Sequence, residues 1–344
     1  MKYQFCIRFD NVDSQSAASK AVLDCNQIFR EEGYQDYTFT VGDNSKKLAY
    51  YLALFWQIIR FYFSVKPNAL IGIQYPLLSI NNVFKHFIKI ARLKGARFFC
   101  VVHDLESLRT GGKNEQLIKK EIDNLNYYDQ LIVHNKLMAA WLKEKGVTKV
   151  MHSLELFDYL SADIPKKITS DNKAIVYAGN LSKSTFVYEL QHLKTAHFNL
   201  YGPGFKTEKV RANTNIKWVG QFNPDEIPHQ LAGSFGLIWD GCAIDKCDEI
   251  LGNYLKYNNP HKFSLYIASG LPIIAPKTSA IAAFISQHRI GILIDSLYDL
   301  DDLEISEDDL AEMRANLTGI HHKVITGGFF RTALHLIENG NTAT

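Results

Sequence analysis

The run Gly236-Leu237-Ile238-Trp239-Asp240-Gly241 reads as a short strand ending in an acidic turn. Further on, Asn258-Asn259-Pro260-His261-Lys262 stands ahead of an apolar segment, 263–269, that is closed by Gly270 and Pro272. That spacing predicts a helix over 263–269 with a polar approach to its start. Unpaired N–H groups and the positive end of the helix dipole favour an anion there. Asn258, Asn259, Pro260, His261 and Lys262 would surround that anion with amides, an imidazole and an ammonium group, a set suited to a diphosphate. A second turn, Gly179-Asn180-Leu181-Ser182-Lys183, follows the strand-like run 174–177. Gly179 lets a ligand approach the backbone, Asn180 adds an amide, and Lys183 is a point charge for phosphate. Two cations on adjacent strand-to-helix turns, Lys183 and Lys262, would converge on one anion. Asp240 and Asp245 can accept pairs of hydrogen bonds from a sugar or ribose diol. Tyr201, at the end of another strand-like run, suits either stacking on a base or the edge of a core.

Proton-transfer chemistry points to the first half of the chain. His103-Asp104 follows the apolar run 97–102, with Arg109 close behind; an imidazole and a carboxylate at a strand end can serve as a general base. Asp10 and Asp13 follow the first strand-like run and are the other base candidates. Ser14 and Ser16 beside them, and Arg109, are candidates for holding an acceptor or the diphosphate; the same polar turn also suits a cap for a helix at 17–32. Neither G-x-G-x-x-G nor G-x-x-x-x-G-K-[ST] occurs, which disfavours a nicotinamide site and a P-loop.

The elements that must position these groups alternate along the whole chain. Strand-like runs at 2–9, 37–41, 69–74, 97–102 and 130–133 are separated by helical patterns at 17–32, 48–63, 82–93, 114–125 and 136–144. A polar, period-free stretch at 161–173 reads as a linker. The alternation resumes at 174–177, 197–201, 216–219, 235–239, 271–275 and 291–294; 299–309 is an acidic surface stretch and 329–337 a last helix. Short apolar runs between amphipathic helices indicate parallel sheets covered on both faces. The expected architecture is α/β, with two doubly wound Rossmann-like domains, 1–160 and 174–325, facing across a cleft. The segment 326–344 would be a helix crossing back to the first. Ligands of such sheets bind outside the carboxyl ends of the strands.

Composition sets the limits. The 344 residues are 47% hydrophobic and 22% charged, with a net charge of +2, so no strong nucleic-acid footprint exists overall. Five scattered cysteines form no disulfide framework and fit a reducing cytoplasm. Cys242 and Cys247 lack a matching Cys/His pair, so no metal site is expected. The N-terminus reads as a strand and not a signal peptide. The apolar stretch 48–65 is interrupted by Gln57 and Arg60 and is short for a membrane span. It reads as a buried helix, or, with a basic stripe of Lys85, Lys89 and Arg92, as a helix resting on an anionic bilayer.

The motifs in combination resemble bacterial β-1,6-galactofuranosyltransferases of surface-polysaccharide assembly. They are the 179–183 turn, the 236–241 run and 258–262, with His103-Asp104, Arg109, His134-Asn135, Phe157-Asp158-Tyr159-Leu160, Arg289-Ile290-Gly291 and Thr326-Gly327-Gly328-Phe329-Phe330-Arg331. A more distant likeness is to the glucosyltransferases that extend sugar on serine-rich-repeat adhesins. The resemblance implies a GT-B fold, a UDP-sugar donor, inversion at the anomeric carbon and no required metal or other cofactor. Lys183 and Lys262 would hold the diphosphate, with Asn258 and the 259–261 backbone completing the site. The implied partners are the donor and a sugar acceptor, lipid-linked acceptors included. A membrane surface and a homo-oligomer are open to it as well. A UDP-glucose-dependent glucosyltransferase acting on a glycoprotein, and a non-catalytic nucleotide-sugar-binding partner, are the competing readings.

Overall fold

The computed structural model describes residues 1–9, 17–41, 47–77, 81–162, 174–211 and 215–340. Asp10, Asp13, Ser14, Ser16 and most of the linker stretch lie outside the described residues. The chain divides into two compact units. The first comprises Met1–Leu108, Gly112–Leu154 and Phe330–Thr344; the second comprises Arg109–Gly111 and Glu155–Phe329. Residues 155–160, placed with the first domain in the sequence reading, are thus counted with the second.

The first unit is built on β1 (Lys2–Phe9), β2 (Gln35–Val41), β3 (Leu70–Tyr75), β4 (Arg97–Val102), β5 (Gln130–Val133) and β6 (Val150–Ser153). All pairings are parallel, in the order β2-β1-β3-β4-β5-β6. The connecting helices are α1 (Ala17–Glu31), α2 (Lys47–Ser64), α3 (Asn81–Arg92), the short α4 (Glu106–Arg109), α5 (Glu115–Leu125) and α6 (Lys136–Glu144). Period-2 alternation assigns the layers. Phe5 on β1 meets Phe61 of α2 and Phe84 and Phe87 of α3. On the opposite face Gly72 of β3 leaves room for the Phe29 ring of α1: a Cβ there would stand 2.8 Å from it and 2.7 Å from Phe99. Phe29 in turn packs edge-on against Phe330, ring centroids 4.9 Å apart.

The second unit repeats the logic with β7 (Ile175–Ala178), β8 (Phe198–Tyr201), β9 (Ile216–Gly220), β10 (Phe235–Leu237), β11 (Ile273–Pro276) and β12 (Gly291–Ile294). The parallel order β12-β11-β10-β7-β8-β9 reverses direction between β7 and β10. Its helices are α7 (Ile227–Gln230), α8 (Ile250–Tyr254), α9 (His261–Ala268), α10 (Ala282–His288) and α11 (Glu307–Ile325). The sequence placed the start of α9 two residues late. The acidic stretch 299–309 ends as the first turn of α11, a 19-residue helix with no counterpart in the sequence reading. Ser306 caps it by accepting from Asp309 N, and Glu307, Asp308 and Asp309 complement its dipole. The remaining helix, α12 (Gly328–Glu338), lies almost wholly in the first unit.

Candidate functional site

The crevice outside the carboxyl ends of the strands, where strand order reverses, is the ligand position of doubly wound sheets. In the second unit that place falls between β7 and β10, and the first turn of α9 meets it. Gly236 makes the approach of α9 feasible: a Cβ there would stand 2.2 Å from the Tyr266 ring. The Tyr266 hydroxyl accepts from Ala178 N at 2.8 Å, tying the end of β7 to α9.

A directional string of hydrogen bonds crosses this switch point. Lys262 Nζ lies 2.9 Å from Asp240 Oδ1 and donates to the Trp239 carbonyl and Tyr177 Oη, each at 3.2 Å. Its charge also sits over the Tyr177 ring, 4.7 Å from the centroid. Ser184 Oγ donates to the Asn180 carbonyl, so the Tyr177 hydroxyl, already accepting from Lys262, donates to Ser184 at 2.6 Å. Burial alone would push the Lys262 ammonium toward neutrality; the Asp240 carboxylate and neighbouring phenols overcome this and raise its pKa. Burial raises the Tyr177 phenol as well, opposed by Lys262, so it stays a hydroxyl. The Lys262 and Asp240 side chains keep 15% and 23% of their exposure.

The sequence treated Lys262 as a cation awaiting an anion. The fold instead supplies Asp240, 22 residues earlier, as its partner. Lys183 stands exposed on the 179–184 turn. Asn180 shapes that turn, its Oδ1 accepting from Ser182 N and Oγ. Gly179 N donates to the Tyr201 carbonyl. Tyr201 itself is 1% exposed, with its hydroxyl donating to Gln230 O and accepting from Ala232 N. It is a core residue, and stacking on a base is overturned by that burial.

The approach to α9 is held from below by a segment the sequence did not single out for this task. Asn259 Nδ2 donates to Glu155 O at 2.6 Å, Ser264 Oγ donates to Phe157 O, and His261 stacks on Tyr159 with centroids 4.9 Å apart. Asp158 Oδ1 accepts from Phe329 N. Pro260 occupies the N-cap position and its ring offers no acceptor to the first-turn amides. Beside it, Asn258 Oδ1 is buried with no hydrogen-bond partner among the described residues. Arg109 is exposed and belongs to the second unit.

In the first unit, His103 follows β4 and its Nε2 stands 2.6 Å from Gln74 Oε1. Gln74 Nε2 donates to the Val22 carbonyl, which fixes the amide's orientation. His103 Nε2 therefore donates to Gln74 Oε1. His134 Nε2 donates to the His103 carbonyl at 2.9 Å. Asp104 is partly exposed in the same turn. Glu121, absent from the sequence-derived site, accepts from Glu106 N, Ser107 N and the Ser107 hydroxyl, capping α4 just beyond His103-Asp104. Burial raises its pKa against those hydrogen bonds. Its signal was present in the sequence: Ile118, Glu121, Ile122 and Leu125 share the buried face of α5, so a carboxylate sits on an apolar stripe. Lys20 and Asp24 form a second such case, a buried ion pair at 2.7 Å on α1.

The glucosyltransferase 3-like N-terminal domain matches residues 4–156 and the glucosyltransferase 3-like C-terminal domain matches residues 175–337. The beta-1,6-galactofuranosyltransferase WbbI of Escherichia coli (strain K12) is 32% identical over 253 residues, 71% of this chain and 72% of that protein. Glucosyltransferase 3 of Streptococcus gordonii is 25% identical over 234 residues, 66% and 67% of the two chains. Among solved structures, "Trehalose-6-phosphate from E. coli bound with UDP-2-fluoro glucose" superposes with a TM-score of 0.58 at 10% identity, covering 98% of each chain. TarM superposes with a TM-score of 0.54 at 15% identity, covering 83% of this chain and 58% of that one. The fold is GT-B, with two Rossmann-like units. The chain is a glycosyltransferase and belongs to the glucosyltransferase 3-like family.

Proposed function

We propose that this glycosyltransferase moves a galactofuranosyl group from UDP-galactofuranose to a sugar acceptor in cell-surface polysaccharide synthesis, with inversion and without a metal. One observation carries the donor-binding part of this reading. The Asp240–Lys262–Tyr177–Ser184 string and the start of α9 place a cation, oriented hydroxyls and helix amides at the switch point of the second sheet. In this reading the first-turn amides, Lys262 and the exposed Lys183 receive the diphosphate, whose negative charge grows as the sugar–oxygen bond breaks. Asp240 holds the Lys262 ammonium charged and aimed, and the Asn258 amide offers its remaining hydrogen-bonding capacity. The His103-Asp104 turn accepts the proton of the acceptor hydroxyl as its oxygen attacks the anomeric carbon and UDP departs. Glu121 fixes the loop of this turn, and Arg109 contributes further positive charge. By the sequence alone, Asp10 and Asp13 stay the other candidates for the base, and Ser14 and Ser16 candidates for holding the acceptor or the diphosphate. The choice of galactofuranose rests on the 32% identical relative. The proposed setting is the cytoplasm, at the inner face of the membrane.

A second reading is transfer of glucose from UDP-glucose to a glycoprotein glycan; the family description supports glucose as the sugar moved, and the donor and acceptor follow the more distant resemblance. A panel of UDP-sugars with simple glycoside acceptors, read by mass spectrometry and NMR, separates the two. Transfer from UDP-galactofuranose with an inverted linkage is expected. Transfer from UDP-glucose alone selects the second reading, and UDP binding with neither transfer nor hydrolysis of any donor identifies a silent nucleotide-sugar-binding partner.

A further inference from the structure

Helix α2 is apolar on both sides. Its inner face is accounted for: Phe61 and Val65, the latter just past the helix end, are fully buried, and Gln57 bonds both the N–H and the carbonyl of Thr40. Its outer face carries Tyr51, Leu52, Phe55, Trp56 and Phe63, with Trp56 65% and Phe63 76% exposed. Spacings of three and four residues put Leu52, Phe55, Trp56 and Phe63 on one stripe. An aromatic-rich stripe of this kind in water calls for a partner. No helix among the described residues is long and apolar enough to cross a membrane.

Charge identifies the partner. Residues 44–103 contain no Asp or Glu and nine Lys or Arg, so all 36 acidic residues of the chain lie elsewhere. That stretch includes α2 and α3, which share one face of the first sheet. Arg60 on α2 and Lys66 just beyond it are exposed, as is Lys89 on α3. The other members of the expected basic stripe are partly engaged: Arg92 pairs with Asp129 at 2.7 Å, and Lys85 lies over the Tyr127 ring. A second copy of this chain would bring the same cations against themselves. An anionic lipid surface matches both features, since Trp, Tyr and Phe settle at the headgroup level while Lys and Arg meet the lipid phosphates.

We propose that the α2–α3 layer docks this protein on an anionic lipid bilayer, with the outer stripe of α2 seated in the headgroup region and Arg60, Lys66 and Lys89 at its rim. This inference does not depend on which donor sugar is used. The test is cosedimentation of the full chain with phosphatidylglycerol–phosphatidylcholine vesicles and with pure phosphatidylcholine vesicles, at low and high salt. The bound fraction should partition at least about tenfold more strongly to the anionic vesicles and fall as salt rises. Phe55→Ser with Trp56→Ser, and separately Arg60→Glu with Lys66→Glu, should each abolish most of it. Circular dichroism and thermal melting identical to the parent chain would show that these variants are folded. No pelleting of the parent chain with anionic vesicles, equal pelleting with both lipids, or folded variants that pellet like the parent would each overturn the proposal. So would sedimentation velocity without lipid that shows self-association abolished by the Phe55/Trp56 changes, which would assign the stripe to a contact between copies.

Discussion

In the proposed mechanism Lys262 combines two tasks whose contributions can be separated by mutation. Removing the ammonium leaves the Asp240 carboxylate without its partner, which costs stability, and also removes a charge assigned to the diphosphate. Lys262→Ala should lower turnover at saturating donor at least tenfold, about 1.4 kcal/mol of barrier. The double variant Lys262→Ala/Asp240→Ala restores charge balance and should recover thermal stability without recovering turnover. Steady-state rates and melting curves on the same preparations check both parts; a double variant with parental turnover would make the pair purely structural. The residue types at this site were readable because glycine, asparagine, proline and lysine cluster at element ends. The Asp240–Lys262 contact was not, because nothing local links positions 22 residues apart until β10 and α9 are laid side by side. Tyr201 stayed undecided for a related reason: a tyrosine at a strand end suits a surface or a core equally, and its burial with the Gln230 and Ala232 bonds selects the core.

At the scale of elements, the end of β5 supports the end of β4 through one imidazole. His134 is buried and its pKa is pushed down to about 4, chiefly by loss of solvent. The unfolded chain takes up this proton near pH 6.5, so between about 6.5 and 4 the unfolded state binds more protons and stability falls as the pH drops. His134 should account for up to about 3 kcal/mol of that loss. His134→Gln, which keeps an N–H donor in place for the His103 carbonyl, should flatten the decline when urea unfolding is compared at pH 7, 6 and 5. An unchanged slope would assign the acid sensitivity to other groups. Most strands and helices of this layer were legible, since four- to eight-residue apolar runs separated by amphipathic stretches have few other interpretations. Two of the exceptions share a cause. β6 is four residues long with little buried surface, and α11 buries only Leu317, Val324 and Ile325, so neither prints a strong hydrophobic period.

Across the molecule, the first unit is assembled from separated stretches of chain. Phe330 is 1% exposed and packs on Phe29, while Arg331 bonds Glu31 and Glu32. Glu338 accepts from Lys2 Nζ at 2.8 Å and from the Tyr34 hydroxyl at 2.9 Å. Phe330→Ala should therefore cost about 3–5 kcal/mol, read as a lowered urea midpoint. A loss below about 1 kcal/mol would mean that α12 adds little to the core of the first unit.

That discontinuity sets an order of assembly on the ribosome. The sheet containing the Lys262 site comes from one nearly unbroken run, so its hydrophobic interior can close as soon as α11 has emerged. The earlier-synthesised sheet must wait with the sides of Phe29 and Tyr34 that meet Phe330 and Glu338 uncovered until α12 is released, the reverse of the usual N-to-C sequence of domain completion. Nascent chains arrested before residue 328 should thus be caught by chaperones through their oldest portion.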